Sequence, residues 1–295
     1  MPTTYAHFKH GEAVIQRVKP EVRRIIEKYP ELFHFGVHGP DLLFYYDALK
    51  KNSVNRTGNA IHSRPGIEFF EPAALVLKQV GRERSSDLEP SLAYLYGFLC
   101  HYSLDVCCHG YIQEKIDASG ISHAELEAEL DRELLVRDGK DPVSAKLTGH
   151  LVPSGRNAGV ISRFFVGISR EEIFKAMKDM VKYLDLLVLP EKWKRNSVLF
   201  LLRVAKQYDS KHGLIINYEK NMACADSTEK LLQLFDAAVP LAASLIDAFP
   251  ALDNEIFDYD FVSVNEKEHA IYPVRVEGEI IYPEVKGPDR ERAGL

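Results

Sequence analysis

Apolar residues recur along most of the chain at the spacing of amphipathic helices. Between residues 14 and 26 they fall three and four positions apart, which places them on one face of an α-helix. Pro20 interrupts this segment and predicts a kink or a break between two short helices. The same helical spacing recurs over residues 68–80, 88–117, 170–187, 193–208 and 226–249. The pattern therefore predicts an all-α fold built from many helices.

The segment 88–117 is apolar on nearly all sides, which predicts a helix at the centre of the core. Shortly after it, Ser122 and Glu125 have the spacing of a capping box, in which each side chain bonds the other residue's backbone amide. We expect this pair to begin a helix that continues to about residue 136. Residues 33–65 and 137–157 are richer in glycine, proline and polar residues, and we expect turns and loops there.

The last thirty residues differ in pattern from the rest. Residues 270–276 and 280–285 are rich in β-branched and aromatic residues and flank Glu277-Gly278-Glu279, which predicts a small β-hairpin. Pro273 and Pro283 indicate edge positions. We therefore predict a helical domain over residues 1–265, followed by a C-terminal hairpin and tail over residues 266–295.

Composition narrows the class of protein. The chain has 295 residues, of which 46% are hydrophobic and 27% charged, as in ordinary globular proteins. Its net charge of −6 disfavours binding to extended nucleic acid, which needs many cations. The longest apolar stretch, 92–100, is too short to cross a bilayer, and no apolar segment typical of a signal peptide follows Met1. We therefore expect a cytoplasmic protein without a transmembrane segment.

The four cysteines are Cys100, Cys107, Cys108 and Cys224. In a reducing compartment they are expected to be free thiols. Three of them lie on the predicted central helix, where we interpret them as small buried hydrophobic residues rather than metal ligands.

Histidine and aspartate alternate along the predicted central helix. His101, Asp105 and His109 lie four positions apart, so all three side chains point to roughly the same side. Polar groups on a buried helix must be satisfied, either by metal ions or by a His–Asp–His hydrogen-bond chain. The axial rise from His101 to His109 is about 12 Å, whereas zinc–ligand bonds are only about 2 Å long. A metal interpretation thus favours more than one ion, with Asp105 between them.

Weaker candidates lie on either side of this helix. His123 and Glu127 are again four positions apart, although a solvated acidic face that includes Glu125, Glu129 and Asp131 would explain them equally well.

Asp41 follows Gly39-Pro40 and would alone be interpreted as a turn residue or a helix cap. His62 lies in an irregular stretch, where a solvated side chain is the ordinary interpretation. His7 alone is a weak candidate ligand, because His10, three residues later, is an alternative.

Taken in order, these candidates resemble the pattern of the bacterial zinc-dependent phospholipase C family, which shares a superfamily with the single-strand-specific fungal zinc nucleases. The resemblance covers about the first 130 residues and depends on the order of the whole set. The residues that carry it are His7, Asp41, His62, His101, Asp105, His109, His123 and Glu127. It implies a multi-helix bundle of the phospholipase C and nuclease type.

The resemblance also implies how zinc would be shared among these residues. One ion would be held by Asp41, His62, His101 and Asp105. A second would be held by His109, His123 and Glu127, and a third by His7 with Asp105 bridging. In secreted members of the family the third zinc also takes the free N-terminal amine, whereas this chain begins Met1-Pro2. Two or three zinc ions per chain are therefore expected.

The expected activity is hydrolysis of a phosphate ester by a zinc-activated hydroxide, with Asp41 as the base or the group that orients water. The substrate would be a small phosphate ester or a phospholipid headgroup, and choline specificity is not implied. Two alternatives belong to other classes. The chain could be a zinc-binding scaffold without turnover, or an HD-type phosphohydrolase, although the adjacent His-Asp pair of that family does not occur here.

Overall fold

The computed structural model describes residues 4–204, 206, 208 and 212–251, together with the backbone of residues 274–276 and 279–281. The α-helices of these residues are α1 (Thr4–Ile15), α2 (Pro20–Lys28), α3 (Pro30–Gly36), α4 (Ser53–His62), α5 (Ile67–Arg82), α6 (Leu88–Ser119), α7 (His123–Arg137), α8 (Gly155–Ile161), α9 (Arg170–Leu187), α10 (Lys192–Val204) and α11 (Ala225–Ala248). Short 3-10 helices cover Gly39–Tyr45, Ser162–Phe164, His212–Leu214 and Met222–Cys224. The all-helical prediction is confirmed.

The central helix of the bundle is α6, as its apolar sequence predicts. Almost every side chain between Pro90 and His109 is buried, and α6 packs mainly against α3 and α11. Where α3 crosses α6, a side chain on Gly36 would lie 2.1 Å from the carbonyl oxygen of Tyr94, and one on Gly97 would lie 2.2 Å from that of Phe33. Glycine at both positions lets the two backbones touch. This contact brings the chain that follows α3 against the middle of α6.

One helix of the described part, Met222–Ala248, is long and apolar enough to cross a membrane by length and composition alone. However, 56% of the most apolar stretch of this helix is buried inside the fold, and the helix packs on α6. Both features are typical of a core helix.

The turn-rich interpretation of residues 33–65 was partly wrong. This stretch contains the 3-10 helix Gly39–Tyr45 and the helix α4, so His62 is the last residue of a helix rather than part of an irregular segment. Asn52 caps α4 by accepting a hydrogen bond from the Asn55 amide at 2.9 Å, which offsets the weak helix propensity of a sequence that contains Gly58 and two asparagines. A side chain at Gly58 would lie 3.0 Å from the ring of Phe44, so glycine at this position allows α4 to pack closely against Phe44.

The capping box predicted at the start of α7 is only half formed. Ser122 accepts from the Glu125 amide at 3.3 Å. The Glu125 carboxylate, however, binds His212 at 3.0 Å and Asn221 at 2.6 Å. The contacts of Glu125 with His212 and Asn221 thus replace the predicted bond from Glu125 to the Ser122 backbone.

The four cysteines are free and buried, which confirms their interpretation as small buried residues. At the C-terminus, β1 (Val274–Val276) and β2 (Glu279–Ile281) pair antiparallel, with Val274 opposite Ile281. These two three-residue strands do not establish the predicted hairpin, because the residues that join and flank them lie outside the described part of the chain. The hairpin and the domain boundary near residue 265 stay predictions.

Candidate metal centre

Five elements bring the eight candidate residues to one place in the bundle. The helix α1 supplies His7, the 3-10 helix supplies Asp41, α4 supplies His62, α6 supplies three residues and α7 supplies two. All eight form three groups in which one ligand atom per residue lies within 4.8 Å of the others, and His101 belongs to two of them. The groups are His7, His101 and Asp105; Asp41, His62 and His101; and His109, His123 and Glu127.

Asp105 lies at the centre of this arrangement and uses both carboxylate oxygens. Its Oδ2 is 3.0 Å from Nε2 of His101 and 4.0 Å from Nε2 of His62. Its Oδ1 is 3.4 Å from Nε2 of His7 and 3.8 Å from Nε2 of His109. The carboxylate is buried, with only 3% exposure. One side chain therefore connects residues of all three groups, which is the position of a bridging ligand.

The group of Asp41, His62 and His101 is held in a defined orientation by its surroundings. Nε2 of His62 lies 3.0 Å from Oδ1 of Asp41. On its other side, Nδ1 of His62 lies 2.8 Å from the carbonyl oxygen of Gly58, to which it donates. This bond places the proton on Nδ1 and leaves the Nε2 lone pair for a metal, the usual arrangement for a zinc-bound histidine.

Gly39 is required for this geometry. Its φ is +47°, and a side chain here would lie 2.3 Å from Cδ2 of His101. The backbone therefore passes directly over the His101 ring before it reaches Asp41. The sequence shows Gly39 only as a turn residue, and its contact with His101 required the tertiary structure.

The group of His109, His123 and Glu127 lies between α6 and α7. Oε1 of Glu127 is 3.0 Å from Nε2 of His123 and 3.5 Å from Nε2 of His109. The side chain of His123 is 39% exposed, whereas that of Glu127 is 4% exposed, so the centre reaches solvent at His123. The alternative of a solvated acidic face is wrong, because Glu127, Glu129 and Asp131 are all buried.

His7 joins the centre because α1 is anchored to α7. The Asp131 carboxylate accepts from the amides of Tyr5 at 3.1 Å and Ala6 at 2.7 Å, two of the amides that a helix leaves unpaired in its first turn. The His7 ring then stacks on that of His101, with 4.4 Å between ring centroids. Asp131 also continues the four-residue spacing of His123 and Glu127, which is the sequence signal for this contact.

His10, the competitor of His7, belongs to another environment. It is fully buried and packs edge-on against Phe235, with ring centroids 5.5 Å apart. Among the described residues it joins none of the three candidate groups. His38 and His150 form a separate pair, with 2.8 Å between their Nε2 atoms.

The electrostatics of the centre favour ionised carboxylates at Asp105 and Glu127 and a neutral imidazole at His101. Burial would raise the pKa of Asp105, but His101 and His109 hold it well below its ordinary value. Burial likewise opposes ionisation of Glu127, and His123 holds the pKa of that carboxyl well below its ordinary value. Burial lowers the pKa of His101 despite the nearby Asp105. These are the protonation states that metal binding requires.

The donor set and its spacing fit zinc. Two ligand atoms at zinc–ligand distances of about 2.1 Å in tetrahedral geometry are about 3.4 Å apart, and the nitrogen–oxygen distances quoted above range from 3.0 to 4.0 Å. Oδ2 of Asp105 lies 3.0 Å from Nε2 of His101 without the geometry of a hydrogen bond, as expected of two ligands that face a shared cation. The assignment of all eight residues as zinc ligands stays a prediction.

The fold and this centre define a class, that of helical proteins with a polynuclear histidine–carboxylate metal site. Within that class, the family model described as zinc dependent phospholipase C matches residues 6–179. The match spans more than half of the chain and includes all eight residues, and the chain therefore belongs to the zinc-dependent phospholipase C family. Comparison with curated proteins and with solved structures returned no match.

Proposed function

We propose that this protein is a zinc-dependent hydrolase of phosphate esters, and specifically a phospholipase C-like phosphodiesterase. The observation that carries the proposal is the position of Asp105, whose two oxygens face His62 and His109, histidines of different groups. A shared carboxylate holds neighbouring cations close together, and closely spaced cations suit a phosphate with several charged oxygens. Membership of the family supports the same activity.

Bound zinc would supply two things, a water whose pKa is lowered to about 7 and positive charge beside the phosphate oxygens. The residues of the chain would do the rest. Burial would raise the pKa of Asp41, but the neighbouring His62 and His101 side chains together hold it below its ordinary value. Its carboxylate is therefore ionised and able to orient the attacking water and accept its proton. The buried walls formed by His101 and Asp105 would exclude other water.

The substrate would enter beside His123, the most exposed of the eight side chains whose contacts are described above. This opening is suited to a small phosphate ester or a phospholipid headgroup. A cytoplasmic location stays a prediction, which fractionation of cells that produce the protein would test.

The first experiment tests whether the protein binds zinc. Purified protein is analysed for bound metal, and we expect two or three zinc ions per chain. His101→Ala should lower the zinc content by at least one ion, because two of the three candidate groups contain His101. His34→Ala is the matched control, since His34 lies outside all three groups. An unchanged zinc content in His101→Ala would contradict the assignment.

The second experiment separates an enzyme from a scaffold. A nitrophenyl phosphodiester, the corresponding monoester and phosphatidylcholine vesicles are offered in turn. We expect turnover of the diester that is lost on chelation and restored by zinc. Asp41→Asn should reduce kcat by about 100-fold or more, the range for a general base, while most of the bound zinc is retained. Bound zinc without turnover of any substrate would establish the zinc-binding scaffold instead.

A further inference from the structure

The helix α10 exposes several large apolar side chains to solvent. Trp193, Phe200, Leu201 and Val204 are between 62% and 69% exposed. Exposed apolar residues are common singly, but a contiguous set on one element usually marks an interaction surface.

These four side chains lie along one face of α10. At 100° per residue, Phe200 and Val204 fall within about 20° of Trp193, and Leu201 falls about 80° away. The partly buried Val198, Leu199 and Leu202 lie on the opposite face, toward the protein. We call Trp193, Phe200, Leu201 and Val204 the α10 apolar face.

Positive charge flanks this face. Lys192 and Arg203 lie on one side of it, and residues 192–204 contain no aspartate or glutamate. Lys194 lies on the other side, where it pairs with Glu191 at 2.7 Å. The chain as a whole carries a net charge of −6, so this local charge opposes the overall balance. A helix with tryptophan and phenylalanine on one face and lysine and arginine beside them is typical of an element that lies in the headgroup region of a bilayer.

The α10 apolar face is fixed relative to the metal centre by polar contacts. The buried guanidinium of Arg195 donates to the carbonyl oxygen of Ile216 at 2.6 Å and to Oδ1 of Asn217 at 3.2 Å. Asn217 in turn donates to Glu129 of α7 at 3.2 Å. The same helix α7 carries His123, where the centre reaches solvent.

We propose that the α10 apolar face docks this protein onto an anionic lipid bilayer, with Lys192 and Arg203 against the lipid headgroups. The proposal deepens the proposed function, because a bilayer is where a phospholipid substrate would be met. Charge favours a bilayer over a second copy of the chain. A symmetric pairing of this face would bring the same cations together, whereas an anionic surface neutralises them.

The chain contains a natural reporter for the test, because Trp193 is its one tryptophan. Vesicles of phosphatidylcholine alone, or with about one third phosphatidylserine, are added to the full chain in the presence of chelator. Binding is followed by cosedimentation and by Trp193 emission. We expect cosedimentation and a blue shift of emission with the anionic vesicles, both weakened by raised salt.

Two double variants separate the apolar and the charged contributions. Phe200→Ser with Leu201→Ser removes exposed side chains without disturbing the core, and should raise the Kd for anionic vesicles at least about tenfold. Lys192→Glu with Arg203→Glu should abolish the preference for anionic lipid. Val166→Ser is the matched control, since Val166 is 95% exposed on another part of the surface, and it should bind as the unchanged protein does.

Several results would overturn the docking proposal. These are no vesicle binding, equal binding to neutral vesicles, binding unaffected by the Phe200/Leu201 variant, or a blue shift that follows protein concentration without lipid. The last would indicate self-association. Because chelator is present, vesicle binding does not depend on turnover. Diester hydrolysis without vesicle binding would refute the docking surface alone, and vesicle binding without any turnover by the zinc-loaded protein would refute the proposed activity alone.

Discussion

At the scale of single residues, Asp105 explains why the centre needs so few carboxylates. Its Oδ1 and Oδ2 face different histidines at 3.0–4.0 Å, so one buried charge can serve more than one cation. Burying an additional carboxylate instead would add a desolvation penalty of several kcal/mol. Sharing one carboxylate therefore limits the negative charge that the apolar helix α6 must bury.

A first prediction concerns Gly39. Gly39→Ala places a methyl group 2.3 Å from Cδ2 of His101, so the ring or the backbone must move. We expect destabilisation by about 1–3 kcal/mol and a loss of bound zinc, measured by urea unfolding and metal analysis.

Gly139→Ala is the control for this change. Gly139 also has a positive φ, +68°, but nothing lies within 4 Å of the position that a side chain would take. It should show a comparable backbone penalty of about 1 kcal/mol with unchanged zinc content. Equal zinc loss in both variants would mean that contact with His101 is irrelevant.

A second prediction concerns the pH dependence of stability. Burial lowers the pKa of His10 to about 3, whereas an unfolded histidine titrates near 6.5. The folded protein thus binds fewer protons, so the contribution of His10 is complete above about pH 6.5 and is lost as pH falls toward 3. The slope is about 1.4 kcal/mol per pH unit. His10→Leu should reduce the acid-side slope by one proton, measured by urea unfolding between pH 6.5 and 5 in chelator. A slope equal to that of the unchanged protein would show that His10 is not buried in its neutral form.

At the scale of elements, one face of α7 both contributes ligands to the centre and holds α1 in place. His123 and Glu127 face α6 in the centre, and Asp131, one turn further, binds the first turn of α1. Residues four apart share a helix face, so the same face both offers ligands and fixes the helix that carries His7. Positioning of His7 therefore depends on Asp131.

A third prediction tests this coupling. Asp131→Asn leaves one oxygen to accept from the Tyr5 and Ala6 amides and turns an amide group toward the other. We expect destabilisation by about 1–3 kcal/mol and a loss of the zinc shared by His7, while the group on His109, His123 and Glu127 keeps its ion. Zinc titration by calorimetry would detect one weakened site. Glu133→Gln is the control on the same helix, because Glu133 pairs with the surface cations Arg137 at 3.0 Å and Lys220 at 3.9 Å, and it should leave all sites unchanged.

At the scale of the whole molecule, the candidate centre links four helices and a 3-10 helix that are otherwise held by apolar packing. Metal that binds only the folded state stabilises it by mass action, by about 4 kcal/mol per site at a thousandfold excess over Kd.

A fourth prediction follows from this linkage. Removing zinc with a chelator should lower Tm by about 10 °C or more for a chain of this size. Zinc should restore Tm, whereas magnesium, which prefers oxygen ligands, should not. A Tm indifferent to chelation would argue against a site that holds these elements together.

The sequence by itself determined the helices with strong apolar periodicity, because burial of one face is recorded locally in the spacing of residues. It also indicated α6 as the core helix, and the four-residue spacing of His101, Asp105 and His109 already indicated more than one ion. The short helix α4 and the start of α1 were not predicted, because their stability comes from a cap at Asn52 and from the distant Asp131 rather than from local propensity.

Only the tertiary structure decided which lone histidines face the centre and which do not. His7 and His10 lie one turn apart on α1, yet one faces Asp105 and the other packs on Phe235. That choice depends on the rotation of α1 against α6 and α11, which side chains far apart in the chain impose. The close passage of Gly39 over His101 arises in the same way. Local sequence fixes helical periodicity, but the packing of distant elements fixes which side chains converge.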